Sequence, residues 1–309
     1  MSRKWQIILA CAAAVLALTG LAWFAHRIPN GVGHEPAVGR RVPDLTGREV
    51  RVPEHPQRIL SLCTSATDTV LRIGAGGQLV AIDEYSRVAP GAEQIEVVGK
   101  GSAISQEAVL SRRIDLAFIW WYQDDAAAML EKLSVPVVRI RSARATEVPA
   151  MIRLVGECVD CRDPAEQEAA RVAQFLKEAS ASAAVRPRVY LEMYGAYKTV
   201  GRDTYTNDLL ELAGGANVVE DTGGSVLLSA ERLLHADPDA ILFIKGFGDS
   251  ADIAARPGLA DLKAVRQGRI VPLERRWLIA GPALPEAVAR MRALLAETVT
   301  EERDAHAVP

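Results

Sequence analysis

The sequence predicts an α/β protein of two lobes, each with a parallel-sheet core, joined by one long helix and preceded by an N-terminal hydrophobic helix. Three observations predict it. Short apolar strands alternate with helical stretches on both sides of residues 165–182. That central stretch carries an uninterrupted helical stripe. A strand–helix pattern in the first half returns in the second.

At the N-terminus, Arg3 and Lys4 precede a run from Gln6 to Ala25 without a charged residue. At about 1.5 Å per residue such a helix reaches roughly 30 Å, the thickness of a bilayer core. Residues 1–25 are expected to be a signal peptide or an N-terminal membrane anchor. A cut after Ala25 would put Trp23 where a small residue is wanted, and Trp5 and Trp23 flank the run like interfacial anchors. In either case the positive end stays inside and the body is exported. Residues 26–43 hold Pro29, Gly31, Gly33, Pro36, Gly39 and Pro43 and read as a tether.

The N-terminal lobe is expected over 44–162. Its strands are Arg58–Leu62, Leu79–Ile82, Asp115–Trp121 and Pro136–Ile140. Its helices are Thr67–Ile73, stopped by Gly74-Ala75-Gly76-Gly77, then Ser105–Ser111, Ala126–Leu133 and Val148–Glu157. The linking helix is assigned to 163–184, with Pro164 suited to its first turn and a stripe of Ala169, Val172, Ala173, Leu176 and Ala179. The C-terminal lobe, 185–303, has strands Arg188–Met193, Ala240–Ile244 and Ile270–Pro272. Its helices are Thr206–Ala213, Ala230–Leu234 and Leu284–Thr298, and a tail follows at 304–309. Ser105-x-Glu107-x-x-Leu110 recurs 124 residues later as Ser229-x-Glu231-x-x-Leu234. In the same register Asp115 meets Asp239, and each opens an apolar strand.

Composition excludes several classes. With 309 residues, 49% hydrophobic and 24% charged, the chain can bury a real core and is not disordered. A net charge of -3 leaves no basic excess for nucleic acid. Histidines 26, 34, 55, 235 and 306 lie in the tether, turns, a helix end and the tail, so no direct metal site is expected. The first strand is followed by Cys63-Thr64-Ser65-Ala66 rather than a phosphate loop, and no G-x-S-x-G or Walker sequence occurs. Nothing proposes a reaction, so a protein that is not an enzyme is expected. Cys158 and Cys161 form a lone C-x-x-C, expected as a local disulfide after export, ahead of two inert thiols and of a redox site.

Aromatic and basic residues remain. Tyr85, Trp120, Trp121, Tyr122, Tyr194 and Trp277 fall at predicted strand ends and loops, with Lys100, Lys198, Arg202, Arg275 and Arg276. Ligands of α/β sheets bind at the carboxyl ends of strands. Aromatic platforms with a few cations suit a bulky, flat or anionic solute. Any one of these side chains could simply cap its lobe or be solvated; the set points to a ligand cleft.

The motifs resemble a known family. Pro56-Gln57-Arg58-Ile59-Leu60-Ser61-Leu62 with Ser65-Ala66-Thr67 and Gly74-Ala75-Gly76 is similar to the opening of substrate-binding proteins of ABC importers for ferric siderophores, haem and cobalamin. Asp44-x-x-Gly47-Arg48 and Val52-Pro53 match the lead-in. Asn207-Asp208-Leu209-Leu210, Gly214-Gly215-Ala216-Asn217, Ala236-Asp237-Pro238-Asp239 and Ala264-Val265-x-x-Gly268-Arg269-Ile270 follow in the family's order, so the likeness covers roughly 44–298.

The resemblance implies two Rossmann-like lobes on one rigid helix, closing only slightly on ligand. It implies docking on a permease dimer through Glu107 and Glu231, one per lobe; both also suit helix starts capped by Ser105 and Ser229. The ligand implied is a small-molecule metal chelate, a ferric siderophore ahead of a corrinoid and haem. No cofactor is expected beyond that ligand, and a monomer is expected in the periplasm or on the outer face of the cytoplasmic membrane. The rival readings are a membrane-tethered sensor on the same fold, or an enzyme whose only redox candidates are Cys158 and Cys161.

Overall fold

Two apolar pentapeptides organise the fold. Leu116–Trp120 (LAFIW) and Ala240–Ile244 (AILFI) do not alternate, and only Trp120 among them is not fully buried. Strands buried on both faces pair in parallel under helices on either side. The computed structural model describes residues 39–179 and 186–305. The chain from Gly39 onward forms a compact unit of its own.

Each lobe carries a four-stranded parallel sheet. In the first, the spatial order is Leu79–Ile82, Ile59–Ser61, Leu116–Trp120, Val137–Ile140. In the second it is Ala216–Asn217, Arg188–Glu192, Ala240–Ile244, Ile270–Leu273. Numbered along each lobe, both sheets have the order 2-1-3-4. One apolar cluster fills an inner face of both sheets, joining Ile59, Leu116 and Phe118 to Val189, Leu191 and Leu242. Alternate residues such as Leu60 and Ile119, or Tyr190 and Ile241, fill separate clusters on the other faces.

The repeat is structural. Asp115 donates its N–H to the Arg58 carbonyl (3.0 Å) while its carboxylate accepts from Arg58 N–H (3.0 Å). Asp239 does the same with Arg188, at 2.8 Å each way. Ser105 and Ser229 cap the helices Gln106–Ser111 and Ala230–Ala236 through the N–H groups of Ala108 (3.3 Å) and Arg232 (3.2 Å). The helices end in left-handed residues at matching positions, Arg113 (φ 49) and Asp237 (φ 38).

The structure departs from expectation at several points. The tether predicted to reach residue 43 ends earlier, because Gly39–Pro43 is a strand antiparallel to Glu49–Pro53. Val42 pairs with Val50 and both are buried, while Asp44 closes the turn on Thr46 N–H (2.8 Å) and Arg48 N–H (3.0 Å). The density of Pro and Gly masked that alternation. The edge strand Ala216–Asn217 and the short helices Ser250–Ala254 and Lys263–Arg266 have no counterpart among the elements the sequence predicts.

Helix Val148–Cys158 packs on helix Arg162–Ala179, which occupies the predicted linking position and is described only to Ala179. Gly156 makes the crossing close: a Cβ there would overlap the Cβ of Ala165. Contrary to the expected disulfide, Cys158 and Cys161 are free thiols. Cys158 ends its helix in the core, where burial pushes its thiol up to about 12, whereas Cys161 lies past the left-handed Asp160 (φ 58) and is half-buried. Residues 1–25 lie outside the described residues; among those described, no helix is long and apolar enough to cross a membrane.

Candidate functional site

In a 2-1-3-4 sheet the strand order reverses between the first and third strands, and ligands bind beyond their carboxyl ends. In the first lobe those ends lead into Thr64 and Ser65 and into Trp120-Trp121-Tyr122; in the second they lead into Met193-Tyr194 and Lys245-Gly246-Phe247. Two cavities lie there, about 460 Å³ and about 510 Å³. Thr64, Trp120, Tyr122, Tyr194 and Arg275 line both, so they form one trough with walls from both lobes. Each lies within the roughly 300–1,000 Å³ of small-molecule sites.

The aromatic cluster is held by the turn after its strand. Gln123, buried, accepts the Trp120 N–H at its Oε1 (2.8 Å), and Trp121 N–H reaches the Ile140 carbonyl (3.1 Å). Arg139 donates to the Trp121 carbonyl (2.7 Å) and pairs with Asp124 (2.6 Å). The side chains therefore project from a pinned backbone. Trp120 and Tyr122 stack at 6.4 Å and 6°, with Trp121 edge-on to Tyr122 at 4.9 Å. The Tyr122 side chain is 61% exposed in the open trough, and the partial burial it does have raises the pKa of its hydroxyl, which is neutral and can donate a hydrogen bond.

Across the trough, Tyr194 meets Phe247 edge-on at 5.1 Å. Its loop rests on buried Glu192, which accepts from Nη1 and Nη2 of Arg256 (2.5 and 2.7 Å) and from the Tyr197 N–H (3.1 Å). The trough's end is set by Asp83. Its carboxylate accepts from Ser86 N–H (2.9 Å) and Gly101 N–H (3.2 Å), and burial raises its pKa against those bonds. That brings Lys100 Nζ within 5.5 Å of the Tyr85 ring centre. Arg275 comes from the other lobe to donate to the Tyr85 carbonyl (2.6 Å), with its guanidinium carbon 5.4 Å from the same ring. One tyrosine ring thus has two cations within about 5.5 Å of its centre.

Of the residues read from sequence, Tyr85, Trp120, Trp121, Tyr122, Tyr194 and Arg275 line the trough, and Lys100 stands at its rim. The others lie off it. Lys198 is exposed in a two-residue strand paired with Val226–Leu227. Arg202 is 3.5 Å from Glu220. Trp277 packs on the core with the Arg276 guanidinium 4.8 Å from its ring. Phe247, Arg141 and Asp83 line the trough without having been singled out. The repeat could have found Phe247, since in its register Gln123 is the counterpart, in the loop that carries Trp121 and Tyr122. Glu107 and Glu231 lie away from these walls, exposed on their short helices. Among the described residues, no three or more His, Cys, Asp or Glu side chains gather as a metal-ligand set.

The family model described as periplasmic binding protein matches residues 59–276. The chain belongs to the periplasmic binding protein family. This binding protein is 24% identical to an uncharacterized ABC transporter substrate-binding lipoprotein, YvrC, of Bacillus subtilis, over 81% of the chain and 83% of the relative. It is 27% identical to a cobalamin-binding protein of Halobacterium salinarum, over 81% and 72%. Among solved structures, the apo form of the periplasmic heme-binding protein RhuT from Roseiflexus sp. superposes with a TM-score of 0.71, at 24% identity over 78% of this chain and 98% of that one. That likeness carries the two-lobed α/β fold.

Proposed function

We propose that this binding protein captures a metal chelate between its lobes, outside the cytoplasm, and delivers it to the permease dimer of an ABC importer. The observation that carries the reading is the trough at the facing switch points, walled by Trp120, Trp121, Tyr122, Tyr194 and Phe247 and flanked by Arg275 and Lys100. Flat aromatic walls hold a planar ring by stacking, and the cations pair with anionic edges such as propionates or phosphate. Corrinoid and haem therefore move ahead of a ferric siderophore, and the names of the cobalamin- and heme-binding relatives support that order. The lobes are 39–162, which takes in the hairpin of Gly39–Pro43 with Glu49–Pro53, and 185–303, with the helix between them rigid. Glu107 and Glu231 dock on the permease, residues 1–25 direct export or anchoring, and the chelate leaves chemically unchanged.

The test is a tryptophan-fluorescence titration of residues 39–309 with cobalamin, haem, a ferric hydroxamate, a ferric catecholate and molybdate, corrected for inner-filter absorption. Saturable sub-micromolar quenching by cobalamin or haem, lost in Trp120→Ala, is expected. Saturation by a ferric chelate alone restores the siderophore. Absence of saturation with every ligand overturns the chelate reading and favours a tethered sensor.

A further inference from the structure

The repeated helices expose more than their glutamates. In Gln106–Ser111 the residue turned into the core is Val109; in Ala230–Ala236 it is Leu233. Glu107 and Leu110 share the opposite, exposed face of the first helix, and Glu231 and Leu234 that of the second, because residues three apart are neighbours on a helix. Leu110 is 59% exposed and Leu234 36%. Leu227, 73% exposed, precedes the second helix. Among the described residues, no side-chain hydrogen bond or ion pair holds Glu107 or Glu231.

One exposed leucine is ordinary on a protein surface. Here a large apolar side chain is exposed in the same position of both lobes, three residues after an exposed acid, on helices with the same serine cap and with a buried residue and a left-handed end at matching positions. Packing within the chain takes up Val109, Leu233 and part of Leu234, whose Cδ1 lies against Gly258, but it leaves Leu110 and the outer side of Leu234 uncovered. A surface that presents one motif twice matches a partner that presents one receptor twice. The acid calls for a cation there, and the leucine for an apolar socket beside it.

We infer that Leu110 and Leu234 are paired apolar anchors, each seating in a socket of a two-fold symmetric membrane protein beside a cation that receives Glu107 or Glu231. This rests on the docking reading above and adds a division of labour. The glutamates supply steering, which salt screens. The leucines supply dehydrated contact, which salt does not weaken.

The experiment measures binding of residues 39–309 to right-side-out membrane vesicles from the organism that encodes the chain, at low and high salt. Protease-stripped vesicles are the control. Saturable, protease-sensitive binding is expected. Leu110→Ser and Leu234→Ser should each weaken it about tenfold at either salt, and the pair about a hundredfold, because burying a leucine is worth at least about one decade in affinity. Glu107→Lys with Glu231→Lys should weaken it most at low salt. Unchanged thermal melts and ligand titrations establish that the variants are folded. If the leucine variants bind as wild type while the glutamate pair fails, the anchor inference is overturned and the docking reading stands. If the glutamate pair also binds as wild type, if wild type does not bind, or if stripped vesicles bind equally well, the docking reading falls as well.

Discussion

Asp68 shows how one side chain can carry a cost of the architecture. It lies on the helix Thr64–Arg72, 3% exposed, with its Oδ2 unpartnered, and a Cβ on Gly281 would come within 2.7 Å of that oxygen. Burial pushes its carboxyl up to about 6, opposed by Arg72 and reinforced by Glu286 and Glu168. The sign follows. The folded state keeps a proton that the unfolded chain releases near pH ~4. The stabilisation is complete below about pH 4, is lost as pH rises to about 6, and stays lost above that; it amounts to roughly 2–3 kcal/mol. Asp68→Asn should therefore raise stability at pH 7 by a comparable amount and leave it nearly unchanged at pH 4. Urea melts of both proteins at the two pH values check this, and equal midpoints at pH 7 would refute it. Nothing in the sequence separates Asp68 from any helical aspartate, since its environment is supplied by Gly281 and Glu286, more than 200 residues away.

The helix pair is where a single small residue decides the geometry of an element. Val148–Cys158 and Arg162–Ala179 meet at Gly156, which leaves room for Ala165. Gly156→Ala should force the helices apart and destabilise the protein by about 1–3 kcal/mol, despite the better helix propensity of alanine. A chemical-denaturation midpoint at or above wild type would exclude that packing. The helices themselves are legible in the sequence, which puts one at Val148–Glu157 and the next, with its apolar stripe, at 163–184. The expected disulfide was not realised, because spacing in a C-x-x-C says nothing about direction. Cys158 turns into the core, and Asp160 reverses the chain before Cys161.

For the molecule as a whole, the trough depends on the spacing of the lobes, and side chains crossing between them set it. Arg144, following the last strand of the first sheet, forms a two-pronged bond with Asp208 of the helix Tyr205–Leu212, Nε to Oδ2 2.9 Å and Nη2 to Oδ1 2.6 Å. Asp208 also accepts the Ala145 N–H at 2.8 Å. Arg72 reaches Glu286 at 3.1 Å, and Arg275 closes the far side on Tyr85. The Arg144 side chain is 42% exposed, so screening keeps the clamp near the low end of charged hydrogen bonds, about 1–2 kcal/mol. Asp208→Ala should lose about that much stability, enlarge the radius of gyration in small-angle scattering, and weaken chelate binding severalfold. An unchanged scattering profile would show that the clamp does not set the lobe spacing.

The sequence by itself determined the strands of both parallel sheets except the edge strand Ala216–Asn217, the longer helices, their alternation and the doubling of the lobes. Those follow from local periodicity and from side chains too apolar to face water. It also placed aromatic residues at strand ends, and Tyr85, Trp120, Trp121, Tyr122 and Tyr194 line the trough. Only the tertiary structure decided that Arg275 faces Tyr85, that Phe247 completes the second wall, that Arg202 faces Glu220, and that Trp277 supports the core. These are contacts between segments far apart in the chain or matters of side-chain direction. Periodicity encodes which face of an element is buried, but not which distant residue it meets.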